Sequence, residues 1–384
     1  MMSNLIRSRG TRLLLILLLI LPALFSAAQA DTARDLTAEC TYAFSGGSSR
    51  NTAVLYDRSY EKIWKSNKAR NNYLEVRLPA GETCSGVQIK WASLRNSRWS
   101  VEIQQDGKWV AVDGFREDQP YLVTWTPLDN VTKFRIASHN TYPQKLEINE
   151  LVVLSSGELP DSIQVWEPTY EKADLMVIVA HPDDEYVFFG AVIPYYGAER
   201  GKRVLVAYIT ESTTYRRTEL LDGLWAAGQR SYPLIGKFYD RYTMNMEEAY
   251  KKLGKNKVRS YIVEIFRRYR PDVVVTHDIR GEYGHGVHKV CADAVIWALQ
   301  RSGSSGYEKS SAKAYGTWDI PKCYLHLYEK DRIVFDWKAT ELSVFGGRSA
   351  YDVADEAWRC HLSQQASKYE VYTDGPYDSQ IFGL

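Results

Sequence analysis

Hydrophobic and polar positions follow two different periods along this chain. From about Asp31 to Ser155 the period is two. Val87, Ile89 and Trp91 alternate with polar residues, as do Trp99, Val101 and Ile103, then Phe134 and Ile136, then Leu146 and Ile148. Asp106-Gly107, between Ile103 and Trp109, marks a hairpin. Short strands at this spacing, without a long helical pattern, predict a β-sandwich over residues 31–155. Ser155-Ser156-Gly157-Glu158-Leu159-Pro160 then opens a linker, taken as residues 156–172.

Beyond it the pattern changes. Leu175–Val179, Val204–Ile209 and Val273–Val275 are continuous apolar runs, as strands buried on both faces require. Between them, Arg217–Ala227, Val258–Tyr269 and His288–Leu299 carry helical spacing. Strands alternating with helices predict an α/β domain with a mostly parallel sheet over residues 173–384. No G-x-G-x-x-G follows the first strand, so a dinucleotide fingerprint is absent.

Residues 1–30 stand apart. Arg7, Arg9 and Arg12 precede a 13-residue apolar run, Leu13–Phe25, and Ala28-Gln29-Ala30 has the A-x-A form of a signal-peptidase site. The run is short of the ~20 residues that span a bilayer. The expectation is a cleaved signal peptide, no retained transmembrane segment, and a secreted or extracytoplasmic protein.

Composition changes this picture little. Hydrophobic residues make up 45% and charged residues 25%, enough for real cores. A formal charge of +1 gives no polybasic footprint, so nucleic acid is not an expected partner. The 27 Tyr and 11 Trp suit half-apolar, wet surfaces such as sugar sites, and equally fill sandwich cores. Five Cys (Cys40, Cys84, Cys291, Cys323, Cys360) include no C-x-x-C, which argues against a thiolate metal site. Cys40 and Cys84 could pair, but five is odd and sequence leaves the connectivity open.

The chemistry-bearing residues follow the first and third apolar runs. His181-Pro182-Asp183-Asp184-Glu185 comes directly after Val179-Ala180. A Gly-rich loop, Arg280-Gly281-Glu282-Tyr283-Gly284-His285-Gly286-Val287-His288, comes after Val275-Thr276. Open α/β sheets place their sites at these carboxyl ends. His181 and Asp184 are three apart, as are His285 and His288, so a helix starting in each stretch would put each pair on one face. Two histidines and a carboxylate make a three-ligand zinc site with a position open for water. A remaining carboxylate, Asp183, can take the water proton, and a remaining imidazole, His285, can assist the oxyanion or leaving group.

These residues carry a resemblance. Ala180-His181-Pro182-Asp183-Asp184-Glu185 resembles the signature of the PIG-L/LmbE-like deacetylases, zinc-dependent enzymes that remove acetyl from N-acetylglucosamine-type groups. His285-x-x-His288 and Arg216-x-x-Glu219-Leu220 resemble further motifs of that family, and the likeness covers about Ala173 to Ala298. It implies a Rossmann-like fold, with His181, Asp184 and His288 as zinc ligands, Asp183 as general base and His285 as the assisting imidazole. Arg216 and Tyr283 match substrate-contacting positions. One departure stands out. The family often has Pro-Asp inside the His pair, whereas here stand Gly286-Val287, so an acid tuning His285 must come from elsewhere, Asp278 being one candidate. His361-Leu362-Ser363-Gln364 resembles an H-x-S-Q stretch of secreted members, with a surface helix as the plainer reading; His139 and His326 read as structural or surface residues.

The front half is similar to discoidin or coagulation-factor C-type sandwiches at Leu55-Tyr56-Asp57, Trp64-Lys65-Ser66, Tyr73–Pro79 and Lys145–Leu151. Such modules often bind sugars, which makes Tyr60, Trp64 and Arg95 candidates there, or else core and surface residues. The sequence therefore predicts a secreted zinc-dependent deacetylase acting on an N-acetylated glycan or glycoconjugate. The rival is a carbohydrate-binding protein with a catalytically dead deacetylase-like domain. An intact set of ligands and base separates the two.

Overall fold

The computed structural model describes residues 31–93, 98–112, 121–210, 213–240 and 242–384. The leader predicted over residues 1–30, and Arg95, lie outside them. Among the described residues, nine strands precede residue 156. They are β1 (Thr41–Phe44), β2 (Trp64–Lys65), β3 (Tyr73–Arg77), β4 (Cys84–Trp91), β5 (Trp99–Gln105), β6 (Lys108–Ala111), β7 (Val123–Val131), β8 (Lys133–Ser138) and β9 (Glu147–Ser155). They form two antiparallel sheets, ordered β1-β3-β8-β5-β6 and β2-β9-β4-β7. Alternation drives the pairing of these sheets. Leu74, Val76, Val101, Phe134 and Ile136 from one meet Val87, Ile89, Ile148 and Val153 from the other in a single apolar cluster, which makes a β-sandwich. Asp106 and Gly107 both take positive φ, 50° and 76°, as a two-residue turn between β5 and β6 requires. Trp64, a sugar-binding candidate by sequence, is fully buried in this core. The five cysteines carry no disulfide.

The second half contains β10 (Leu175–Val179), α1 (Asp184–Val187), β11 (Val204–Thr210), α2 (Thr214–Ala226), β12 (Leu234–Phe238), α3 (Met246–Leu253), α4 (Lys255–Tyr269), β13 (Val273–Thr276), α5 (Gly286–Leu299), α6 (Lys309–Tyr315) and β14 (Lys322–His326). After these come β15 (Ile333–Val334), a small hairpin of β16 (Glu341–Leu342) and β17 (Arg348–Ser349), α7 (Ala350–Arg359) and β18 (Ile381–Gly383). The predicted helices are α2, α4 and α5, each beginning two or three residues earlier than the apolar spacing alone suggests. The main sheet has the order β12-β11-β10-β13-β14-β18-β15. It is parallel from β12 to β14, but β18 runs antiparallel to both β14 and β15. The sheet is thus mostly parallel, as expected, with four of its six pairings parallel, and it ends in two antiparallel strands too short to announce themselves by periodicity. All five β10 residues are buried. Leu175, Val177 and Val179 face one apolar cluster, while Met176 and Ile178 face a second that contains α4 and α5, so both sheet faces are covered.

Residues 32–384 pack as one unit. The cluster on the Leu175 face of the sheet continues into the sandwich core. The segment between the halves is partly buried, at Ile163, Gln164 and Trp166. Helix α2 carries the polar part of the junction. Asp222 accepts hydrogen bonds from Lys90 Nζ at 2.7 and 3.0 Å, from Tyr60 and from Gln164. Asn149 reaches Thr218, one turn earlier, at 3.3 Å. Tyr60 is therefore engaged in this junction.

The Lys90 and Asp222 side chains are only 11% and 15% exposed, so breaking the pair from one side strands a charge. Asp222→Ala should cost about 3 kcal/mol in urea unfolding. The double change Lys90→Met with Asp222→Leu should cost much less. Equal losses from the two proteins would contradict this view of the junction.

Candidate metal centre

Strands β10 and β13 are neighbours in the sheet, so the segments leaving their carboxyl ends start about 5 Å apart. One carries His181–Glu185, the other His277–His288. This adjacency brings the two motifs together. A shared helix face, as the spacing suggested, does not, because α1 begins only at Asp184 and His285 immediately precedes α5. His181 and Asp184 meet through a tight turn in which the His181 N–H donates to Asp184 Oδ2 at 2.7 Å.

Three side chains converge. His181 Nδ1 lies 3.2 Å from Asp184 Oδ2 and 3.2 Å from His288 Nε2, which in turn lies 3.4 Å from Asp184 Oδ1. All three residues are buried. The other nitrogen of each ring faces a carboxylate. His288 Nδ1 lies 2.8 Å from Glu282, and His181 Nε2 lies 3.3 Å from Asp240. Carboxylates attract the ring protons outward, which leaves two nitrogen lone pairs and a carboxylate oxygen facing one another. Such a set repels itself unless a proton or metal cation lies among them. Four-coordinate binding at 2.0–2.1 Å places ligand atoms about 3.3 Å apart, which these distances match. The residues therefore fit a metal ion. His277 also lies near, with Nε2 3.4 Å from Asp184. That nitrogen already accepts the Ala180 N–H at 3.0 Å, so its lone pair is committed. Burial opposes ionisation of Asp184, but His288 and His181 outweigh it and hold the carboxyl well below its ordinary range.

Asp183 stands beside the cluster with φ 109°, a strained conformation for a residue other than glycine. It occupies the N-cap position of α1 yet makes no side-chain cap bond. Its Oδ2 instead accepts from Arg216 at 2.8 Å, and its backbone N–H donates to Glu185 at 2.8 Å. Burial pushes Asp183 up to about 6 against the pull of the Arg216 guanidinium. Burial and the adjacent His181 and His288 push His285 down to about 3. Its Nδ1 is buried without a partner. Asp278 does not tune His285, for it turns to its own loop and accepts the Arg280 N–H at 3.1 Å. Gly286, where the resemblance leads one to expect proline, donates its N–H to Thr243 O at 2.7 Å, and a Cβ there would lie 2.7 Å from the same oxygen.

These groups border a cleft of about 200 Å³. His181, Asp183, Asp184, Arg216, Tyr283 and His285 all line it, while His288 lies just behind. The sequence reading missed Asp240, Tyr242, Gln364 and Tyr369 in the same lining. Gln364 belongs to the H-x-S-Q stretch, in which Leu362–Gln364 form a short 3-10 turn with no residue buried. His361 is fully buried, and Glu219 accepts from both N–H and Oγ of Ser363 at 2.7 Å, fixing Gln364 at the cleft. His326, read as structural or surface, takes the structural place: it is fully buried and bonded to Glu282 at 2.7 Å. A larger apolar cavity of about 390 Å³ opens among Leu175, Val273 and Phe335, where those strands begin, and holds none of this cluster.

The PIG-L family model, described as GlcNAc-PI de-N-acetylase, matches residues 176–299, the stretch that holds both loops. Residues 176–299 form a PIG-L domain. A 1D-myo-inositol 2-acetamido-2-deoxy-alpha-D-glucopyranoside deacetylase of Saccharopolyspora erythraea is 29% identical over 177 residues, covering 39% of this chain. The match spans 63% of that relative's length. Among solved structures, N,N'-diacetylchitobiose deacetylase from Pyrococcus horikoshii matches at 18% identity and TM-score 0.39, covering 50% of this chain and 71% of its own. The family 32 CBM from C. perfringens NanJ, in complex with galactose, matches at 19% identity and TM-score 0.26, covering 32% of this chain and 98% of its own. Gln364 and Tyr369 are supplied to the cleft from beyond the matched segment.

The committed lone pair of His277 gives a direct test of the ligand set. His181→Ala should lose stoichiometric divalent metal in elemental analysis, whereas His277→Ala should retain a measurable fraction. The opposite pattern would replace His181 by His277 in the set.

Proposed function

We propose that this chain is a secreted, zinc-dependent deacetylase that hydrolyses the acetamide of an N-acetylglucosamine-type sugar on a glycan or glycoconjugate. The observation that carries the reading is the meeting of three lone-pair-bearing side chains, His181, Asp184 and His288, beside a strained Asp183 that makes no cap bond. The relatives support the substrate class, since one is named for a 2-acetamido-2-deoxy-glucopyranoside. The predicted signal peptide supports secretion. The intact ligands and base weigh against a catalytically dead binding protein.

His181 Nδ1, Asp184 and His288 Nε2 would hold the zinc, which when bound polarises a carbonyl and acidifies water. Asp183 takes the proton of the attacking water. Its position near 6 lets it be ionised at neutral pH and still hold a proton briefly. It returns that proton to the departing amine, directly or through His285. With its pKa near 3, His285 is a neutral imidazole, so its part is to donate an N–H to the developing oxyanion. Burial raises the Tyr283 hydroxyl above its ordinary range, which keeps it a hydrogen-bond donor. Arg216 orients Asp183, and exposed Tyr242, with its ring 5.2 Å from that of His285, offers an apolar face to a sugar at the mouth.

Asp183→Asn separates base from ligand. The variant should keep its zinc and melt near wild type, yet release acetate from N-acetylglucosaminides about 10²–10⁴-fold more slowly. Near-native turnover would reject the base assignment. Loss of zinc would move Asp183 into the ligand set.

A further inference from the structure

We propose that Glu282 is a positioning residue that sets the register of both metal-binding loops and so governs the affinity of the centre for zinc. This rests on the zinc reading given above and assigns a role to a residue that reading does not use.

The Glu282 carboxylate is closed to solvent and receives four donors. Oε2 accepts Nδ1–H of His277 at 2.6 Å and Nδ1–H of His288 at 2.8 Å. Oε1 accepts Nδ1–H of His326 at 2.7 Å and the Asp278 N–H at 3.1 Å. An ionised carboxylate offers about four lone-pair sites, so this one is saturated and has none left to bind metal itself. The donors come from the end of β13, from α5, from the end of β14 and from its own loop. Gly281 makes the inward turn possible, with φ 66° and no room for a Cβ, which would lie 2.7 Å from His285 O.

Two paths lead from this carboxylate to the ligands. The first is one bond long: by holding the proton of His288 on Nδ1, Glu282 leaves Nε2 bare toward Asp184 and His181. The second runs through His277. The Ala180 N–H donates to His277 Nε2, which requires the His277 proton to sit on Nδ1, pointing at Glu282. Ala180 immediately precedes His181. The rings of His277 and His288 stack 4.3 Å apart at 23°, held side by side by the oxygen they share. One carboxylate thus fixes the tautomer of one ligand and the backbone position of the other. Glutamine cannot do the same, because its amide N–H groups would confront one of the two donor pairs.

The test measures zinc affinity by chelator competition on the full chain, together with melting of the metal-free proteins. Glu282→Gln should bind zinc about 10- to 100-fold more weakly than wild type. His326→Phe touches neither ligand nor cleft, and its site is bordered by Phe188, Phe189 and Phe382, which accommodate an aromatic ring. It removes one donor from Glu282 and should weaken zinc in the same direction by less. A purely structural role would lower melting temperatures and leave affinity unchanged, and that result overturns the proposal. Should Glu282→Gln fail to fold, His326→Phe decides alone. Wild-type protein that takes up no zinc would overturn the reading of the site itself. Wild type that binds while both variants match it overturns the role of Glu282 only.

Discussion

Two imidazole nitrogens and a carboxylate, whose two oxygens each lie within 3.4 Å of one of them, are an unstable company without a cation when held away from water. The surrounding architecture turns on keeping that arrangement. Asp240 and Glu282 draw the outer ring protons of His181 and His288 away from it. The parallel pairing of β10 with β13 sets the spacing of the two loops. Burial on both faces of β10 anchors the strand from which the loop departs, and within that loop Asp183 is held at φ 109°. Folding must offset the electrostatic cost of this cluster, and the apolar clusters flanking the sheet are where that stabilisation comes from.

What the sequence disclosed follows the range of the forces involved. Continuous apolar runs announced β10, β11 and β13 because a strand covered on both faces has no polar side. The two loops were legible because each motif is local. Asp240, Gln364 and Tyr369 were not, since only tertiary packing brings them to the cleft. Glu282 lay in plain view inside a loop already singled out, but its partners His277 and His326 come from two different strand ends. For His326 and His361 the sequence left more than one reading open for a similar reason, as a lone histidine carries no sign of its burial. Gly286 shows how a departure from the family pattern can be a local requirement, here for an N–H and an empty Cβ position opposite Thr243.

The sandwich half has a different lesson. Alternation revealed its strands, yet alternation cannot separate an aromatic that fills a core from one that meets a ligand, and Trp64 proved to fill the core. Helix α2 joins the halves. Thr218 and Asp222, four apart, meet Asn149 and Lys90 of the sandwich, while Arg216 and Glu219, three apart, serve Asp183 and Ser363 at the cleft. The front module is therefore built into the support of the cleft through one helix, and the segment between the halves is partly buried where a free tether would be solvated.

The central claim concerns which atoms surround the metal, and X-ray absorption at the zinc edge of the zinc-loaded protein addresses it most directly. The account predicts a first shell of about four nitrogen and oxygen atoms near 2.0 Å, with outer scattering that fits two imidazoles and no sulfur near 2.3 Å. A third imidazole in that shell, or any sulfur, would contradict it.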